Sequence, residues 1–238
     1  TVTDIAYLMD VISGSDGADP VTQASDGKIP DSYLDTLTKD GLTGARIGVI
    51  RQFTDKPNAA AEVTAITDRS FEDIAALGAT LIDVDLFGLP SVGSSTYVSF
   101  QYDMNNYLES LGENAPVKTV NEIIESGNYD PTLDIFLFDL LRPDIPREED
   151  AAHAAVKRLS NGVLALVLDV MDSHNLDAIM YPTVTQETPQ VVENELYFEL
   201  LENTNLSSLI GFPAIAKLQQ SASVKPNRDV PQIGLAGF

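Results

Sequence analysis

The chain has no cysteine, no tryptophan and only two histidines in 238 residues. Without cysteine there is no disulfide framework, no thiolate metal site and no cysteine nucleophile. His153 and His174 leave little for a histidine-built metal centre or a Ser-His-Asp triad. No run approaches the ~18 uninterrupted apolar residues of a membrane-spanning helix, so no membrane partner is expected. Basic residues are scarce: fourteen Lys and Arg face thirty-six Asp and Glu, leaving −22. A nucleic-acid backbone needs basic patches, so no nucleic-acid partner is expected either. Such acidity keeps a protein soluble and repels anionic surfaces without determining its fold. It suits a salt-adapted, a secreted or an ordinary acidic cytosolic protein equally.

What the chain does have is enough apolar residue, 44%, to bury a real core as one large or two small domains. Its ends are expected to be internal to a larger fold. Thr1-Val2-Thr3-Asp4 shows no initiator Met and no basic or apolar leader, and the run Ile233 to Phe238 resembles a strand cut short.

Periodicity gives the element order. Ile5, Leu8, Met9 and Ile12 fall at helical spacing, with Thr3 or Asp4 as the cap and an end near Gly14. Residues 15–44 are polar and turn-rich, with one helical turn expected around 33–37; their Asp and Gly lack the EF-hand spacing. Arg46-Ile47-Gly48-Val49-Ile50 is a short apolar strand, 59–77 a helix stopped by Gly78, and Thr80-Leu81-Ile82-Asp83-Val84 a second strand. This βαβ unit implies parallel pairing. Its first turn, residues 51–57, holds no glycine, against the G-x-G-x-x-G of a dinucleotide site. Helices are expected over 97–111, 120–126, 133–141 and 147–174, the last with Glu148, Glu149 and Asp150 at its start and softened at Asn161-Gly162. A buried strand follows at 177–181, a helix at 195–202, and a further strand at 213–218. The fold class is α/β, with helices covering a mixed, mostly parallel sheet.

The residues alone single out no catalytic set. Gly93-Ser94-Ser95 lacks the G-x-S-x-G of a nucleophile elbow, and Ser95 reads as a helix cap. His153 lies on a solvated helix face, and His174 near a helix C-terminus, where a protonated ring is favoured. The carboxylates are too many for any one pair to mark glycoside chemistry.

A family resemblance adds to this. Leu42-Thr43-Gly44-Ala45-Arg46-Ile47-Gly48-Val49 is similar to the L-x-G-x-R-I-G-V segment of amidase signature hydrolases. Thr1-Val2-Thr3-Asp4 through Gly14 and Asp19-Pro20 resembles their T-V-x-D-A…D-x-I-x-G…D-P stretch. Ala76-Leu77-Gly78-Ala79-Thr80 matches the helix-to-strand junction that follows. Asp177-Ala178-Ile179-Met180-Tyr181-Pro182-Thr183 resembles D-A-I-(V/L)-x-P-T. The stretch from Asn205-Leu206-Ser207-Ser208 to Gly211-Phe212-Pro213-Ala214-Ile215 resembles N-x-x-(S/G)-x-x-G-F-P-A-I. Phe100 to Leu108 is similar to the peptide-amidase-like branch. In order and spacing these matches span most of the chain.

The resemblance implies a partial amidase-signature fold and hydrolysis of carboxamides by a Ser–cis-Ser–Lys triad, with backbone N–H groups holding the oxyanion. It implies no metal and no organic cofactor. The family's lysine and its G-S-S/G-G-S segment precede the T-V-x-D helix. Residues 1–238 are thus expected to form one incomplete amidase domain, inactive alone, to which no catalytic residue carries over. Lys217, after the G-F-P-A-I match, is not the triad lysine. A G-L-P-V-G-L-Q stretch is expected to begin at Val230 to Leu235. Thr183, Asn205 and Ser208 are the expected substrate-binding residues, for a small amide or peptide-amide. Asn205-Leu206-Ser207 also fits the glycosylation pattern, discounted because its motif lies near the core. The missing half of the fold, or another chain, is expected to cover an exposed apolar edge. Two alternatives stand beside this reading: an amidotransferase-like subunit that needs partners, and a truncated non-enzymatic homologue acting as a binding module.

Overall fold

A computed structural model describes residues 1–88, 96–133, 144–186, 203–218 and 232–236. Five strands form one sheet: β1 (Arg46–Ile50), β2 (Thr80–Val84), β3 (Ala178–Pro182), β4 (Ala214–Leu218) and β5 (Gln232–Ala236), in the order β2-β1-β3-β5-β4. β1 lies between β2 and β3 and is parallel to both, with Ile47 opposite Leu81 on one side and Ala178 on the other. β5 runs antiparallel between β3 and β4, so β4 shares the direction of the parallel three. The sheet is mixed and mostly parallel, as its sequence implies. The apolar run at residues 232–236 forms an interior strand.

Parallel strands covered on both faces read as continuous apolar runs. In β1 and β3 every residue after the first is buried. Alternation sends Ile47, Val49 and Met180 to one face, where Phe71 of α3 (Ala61–Ala76) packs. Ile50, Ile179 and Tyr181 point to the other. There Val163, Val167 and Met171, each four residues apart, form the buried stripe of a long helix over residues 151–174. Thr67 and Ser70 bury their hydroxyls on α3 by donating to the Val63 and Ile66 carbonyls at 2.9 and 2.8 Å.

Element ends show where local chemistry overrides periodicity. α1 (Val2–Ile12) is capped by Thr1, not Thr3 or Asp4. Asp4 instead supplies the returning half of a capping box, its carboxylate accepting from the Thr1 backbone nitrogen at 2.6 Å. One turn is present at Leu34–Thr36, and a second stretch of 3-10 helix, Pro20–Ser25, lies within the polar, turn-rich region. α2 (Arg51–Thr54) is a single turn that springs directly from β1. The helices α4 (Thr96–Ser110) and α5 (Val120–Ser126) fall where the spacing puts them. α6 (Ala151–His174) starts four residues later than its acidic N-terminal run suggests, because Asp150 takes the cap position and accepts from the Ala152 amide at 2.8 Å. It continues through Asn161 and Gly162 and ends at Asn175, whose φ is +49°. The Arg46 guanidinium donates to the His174 and Asn175 carbonyls there, tying the end of α6 to the start of β1. α7 (Asn205–Ile210) packs Leu206 and Ile210 against the same face as α6. Ser95 with Gly93 and Ser94, the expected helix over 133–141 beyond Leu133, the expected helix over 195–202, and Val230 and Pro231 lie outside the described residues.

α1 presents apolar side chains outward as well as inward. Ala6 faces inward, while Tyr7, Leu8, Val11 and Ile12 are 58%, 55%, 81% and 62% exposed.

Two glycines should respond oppositely to an added side chain. A Cβ on Gly48 would lie 2.6 Å from Leu176 Cδ1 and 3.4 Å from Val84 Cγ2, inside the core. Gly48→Val should cost about 1–3 kcal/mol by overpacking in urea unfolding. A Cβ on Gly162 meets nothing within 4 Å. Gly162→Ala should raise stability by about 0.5–1 kcal/mol, since glycine is the poorer residue in a helix interior.

Candidate functional site

β1, β2 and β3 end at one edge of the sheet, the carboxyl edge, where open α/β sheets place their ligands. The segments leaving these strands are stitched to one another. Gln52 of α2 bonds both backbone groups of Leu86, accepting from its amide at 2.8 Å and donating to its carbonyl at 3.1 Å. This fixes the exit of β2. The exit of β3 is held by Asn203, which is 0% exposed. Its Nδ2 donates to the Phe53 carbonyl at 3.1 Å and to the Pro182 carbonyl at 2.7 Å. Further along, the Ala60 amide donates to the Thr185 carbonyl at 2.8 Å, and the Gln186 side chain donates to the Asn58 carbonyl. Residues 183–186 are thereby laid along residues 53–60.

Beneath this strap, Phe53 meets Tyr181 edge-on, with ring centroids 5.4 Å apart. Burial pushes the Tyr181 hydroxyl above its ordinary pKa, partly offset by its hydrogen bond with Ser207, so it stays a neutral phenol across the working pH range. Two oxygens near the β3 exit stand out. Thr183 Oγ1 and Asn203 Oδ1 are buried and meet no hydrogen-bond partner among the described residues. An unpaired buried polar atom costs about 1–3 kcal/mol, so the Thr183 hydroxyl at the strand end calls for a partner. A hydroxyl can donate and accept, so it suits a group carrying both N–H and C=O.

Thr183 therefore sits where its sequence predicts, immediately after the last residue of β3. The other two expected residues are placed differently. Asn205 opens α7 and is exposed. Ser208 is exposed too, and its hydroxyl donates to the Asn205 carbonyl of its own helix at 3.1 Å. The residue that reaches the β3 exit is Asn203, which sequence reasoning missed. Its one signal is position, just ahead of the G-F-P-A-I match, because an asparagine in a polar stretch carries no periodic mark of burial. Lys217 lies in β4. No group of three or more His, Asp and Glu able to hold a metal occurs among the described residues.

A second polar cluster joins α4 to the turn before α6. Arg147 reaches Asp103 at 2.6 Å, and Ser99 donates to the same carboxylate at 2.6 Å. Burial pushes the Asp103 carboxyl up, but the hydrogen bonds from Arg147 and Ser99, with the positive charge of Arg147 and His153, outweigh it and hold the group below its ordinary value. A depressed carboxyl contributes stability above its unfolded pKa and loses it as pH falls through the folded one. Asp103→Asn should therefore lose less stability than the wild-type chain between roughly pH 5 and 3, as read by urea unfolding at each pH.

The chain also resembles known proteins. A glutamyl-tRNA(Gln) amidotransferase subunit from Acinetobacter baylyi is 35% identical over 83 residues, 35% of this chain and 16% of that protein. Its namesake from Methanosphaera stadtmanae is 29% identical over 136 residues, 53% of this chain and 29% of that one. A peptide amidase solved with the inhibitor chymostatin superimposes on the whole chain with a TM-score of 0.75 at 17% identity, the match taking in 49% of its length. The chain thus spans about half the length of that solved protein and aligns to less than a third of the two curated relatives. The Amidase family profile matches residues 1–232, and the chain belongs to the Amidase family.

Proposed function

We propose that this chain forms the substrate-facing half of an amide hydrolase, with Thr183 at the carboxyl edge as a contact to a small amide or peptide-amide. The reaction adds water across the C–N bond, releasing a carboxylate and ammonia or an amine. One observation carries the reading: in a member of the Amidase family, the unpaired Thr183 hydroxyl lies at the carboxyl end of β3. The Ser–cis-Ser–Lys set is assigned to sequence outside these 238 residues, because no stretch here matches its motif. Asn205 and Ser208 are retained as contacts at the margin of the site, reached from α7. The exposed Tyr7, Leu8, Val11 and Ile12 of α1 support the same reading, since a contiguous exposed apolar patch marks an interaction surface. The rest of the amidase body, or a partner chain, is its proposed cover.

A second reading has a specific observation behind it. The two curated relatives described above belong to amidotransferases. On that reading the amide is hydrolysed for the ammonia it yields, and activity depends on partner subunits.

The experiment is ammonia release from a peptide amide and from glutamine, with the chain alone and with the complete protein that carries it. The chain alone should match buffer, lacking nucleophile, relay and oxyanion donors. The complete protein should turn over the peptide amide, and Thr183→Val should lower its kcat/KM about tenfold through loss of one hydrogen bond. Turnover of glutamine alone, and only with added subunits, would favour the amidotransferase reading. Activity of the isolated chain would overturn the assignment of the reactive groups elsewhere.

A further inference from the structure

We infer that Asn203 is a positioning residue: by tying the exit of β3 to the exit of β1, it sets where Thr183 stands. This rests on the amide-hydrolase reading above and adds to it a residue that touches no substrate.

The geometry is specific. Both hydrogens of one side-chain amide are spent on backbone carbonyls from different strand exits, Phe53 after β1 and Pro182 at the end of β3. Pro182 pairs with Ile233 of β5 but has no N–H to donate, so on the side facing residue 53 its carbonyl is what Asn203 holds. Thr183 is the next residue, and its orientation follows from that peptide. Asn203 itself is completely buried, and no periodic pattern calls for an asparagine there. A residue kept for packing alone would be apolar, since its Oδ1 stays unpaired at a cost. Ala60 provides an independent readout. Its amide is held by Thr185 on the same strap, yet it belongs to the chain before α3.

The test uses Asn203→Leu, which keeps the bulk and removes both donors. In the 15N-labelled chain, exchange of the Ala60 amide should accelerate about tenfold. The Thr80 amide, bonded to Ala45 at the opposite edge, should not change. In the complete enzyme, KM for a short peptide amide should rise about tenfold with kcat within about twofold. Thr183→Val should reproduce the KM change and leave Ala60 exchange unaltered. That second variant keeps the kinetic arm readable if Asn203→Leu does not fold. Unchanged Ala60 exchange in Asn203→Leu would overturn the inference, because the tie would then not depend on the donors. Faster Ala60 exchange with wild-type KM would also overturn it, reducing Asn203 to a structural clasp. No amide turnover by the wild-type complete enzyme would instead sink the amide-hydrolase reading, with Ala60 still reporting on the tie.

Discussion

Arg46 and Asp177 lie 131 positions apart, yet the Asp177 carboxylate accepts the Arg46 amide at 2.8 Å. This contact sets β1 beside β3, and the carboxyl edge exists only because of that pairing. The Arg46 side chain strengthens it by closing the last turn of α6 from the same residue. One end of the pair is thus pinned by charge-assisted bonds, and the other by the neutral amide of Asn203. Between them the strands pack as uninterrupted apolar runs, which tolerate no shift of register without moving Ile179 and Met180 to the wrong faces. The mutual placement of residues 53, 182, 183 and 203 follows from this frame.

Charge plays a different part. With a balance of −22, most carboxylates have no cation available to them. The ion pairs at Arg51 join exposed partners, and pairs of that kind contribute little to stability. Burial of the two core clusters therefore carries the fold, while mutual repulsion among the surface carboxylates opposes it. Added salt should screen that repulsion without touching the strand pairing.

The fold was largely legible in the sequence because its elements are strongly patterned. The strands at 46–50, 80–84 and 214–218 and the helix at 120–126 stand where alternation and spacing put them. Helix starts were less legible. The acidic run ahead of α6 mimics a helix N-terminus, but only Asp150 takes that role, while Arg147 turns to Asp103. The antiparallel insertion of β5 between β3 and β4 was not readable, since nothing in a short apolar run encodes its direction. At the β3 exit, the position of Thr183 was legible from the strand-ending proline before it. Asn203 was not, because what marks it is a tertiary arrangement: two carbonyls, from residues 53 and 182, that only folding brings to one amide.

The central claim is that the carboxyl edge of this sheet receives an amide. Titration of the 15N-labelled chain with benzamide, a simple primary carboxamide, tests it most directly. The account predicts saturable amide shifts confined to residues 53–60 and 183–186, with Arg46, Thr80 and Ala178 at the opposite edge silent. Shifts centred on that opposite edge, or none at any benzamide concentration, would contradict it.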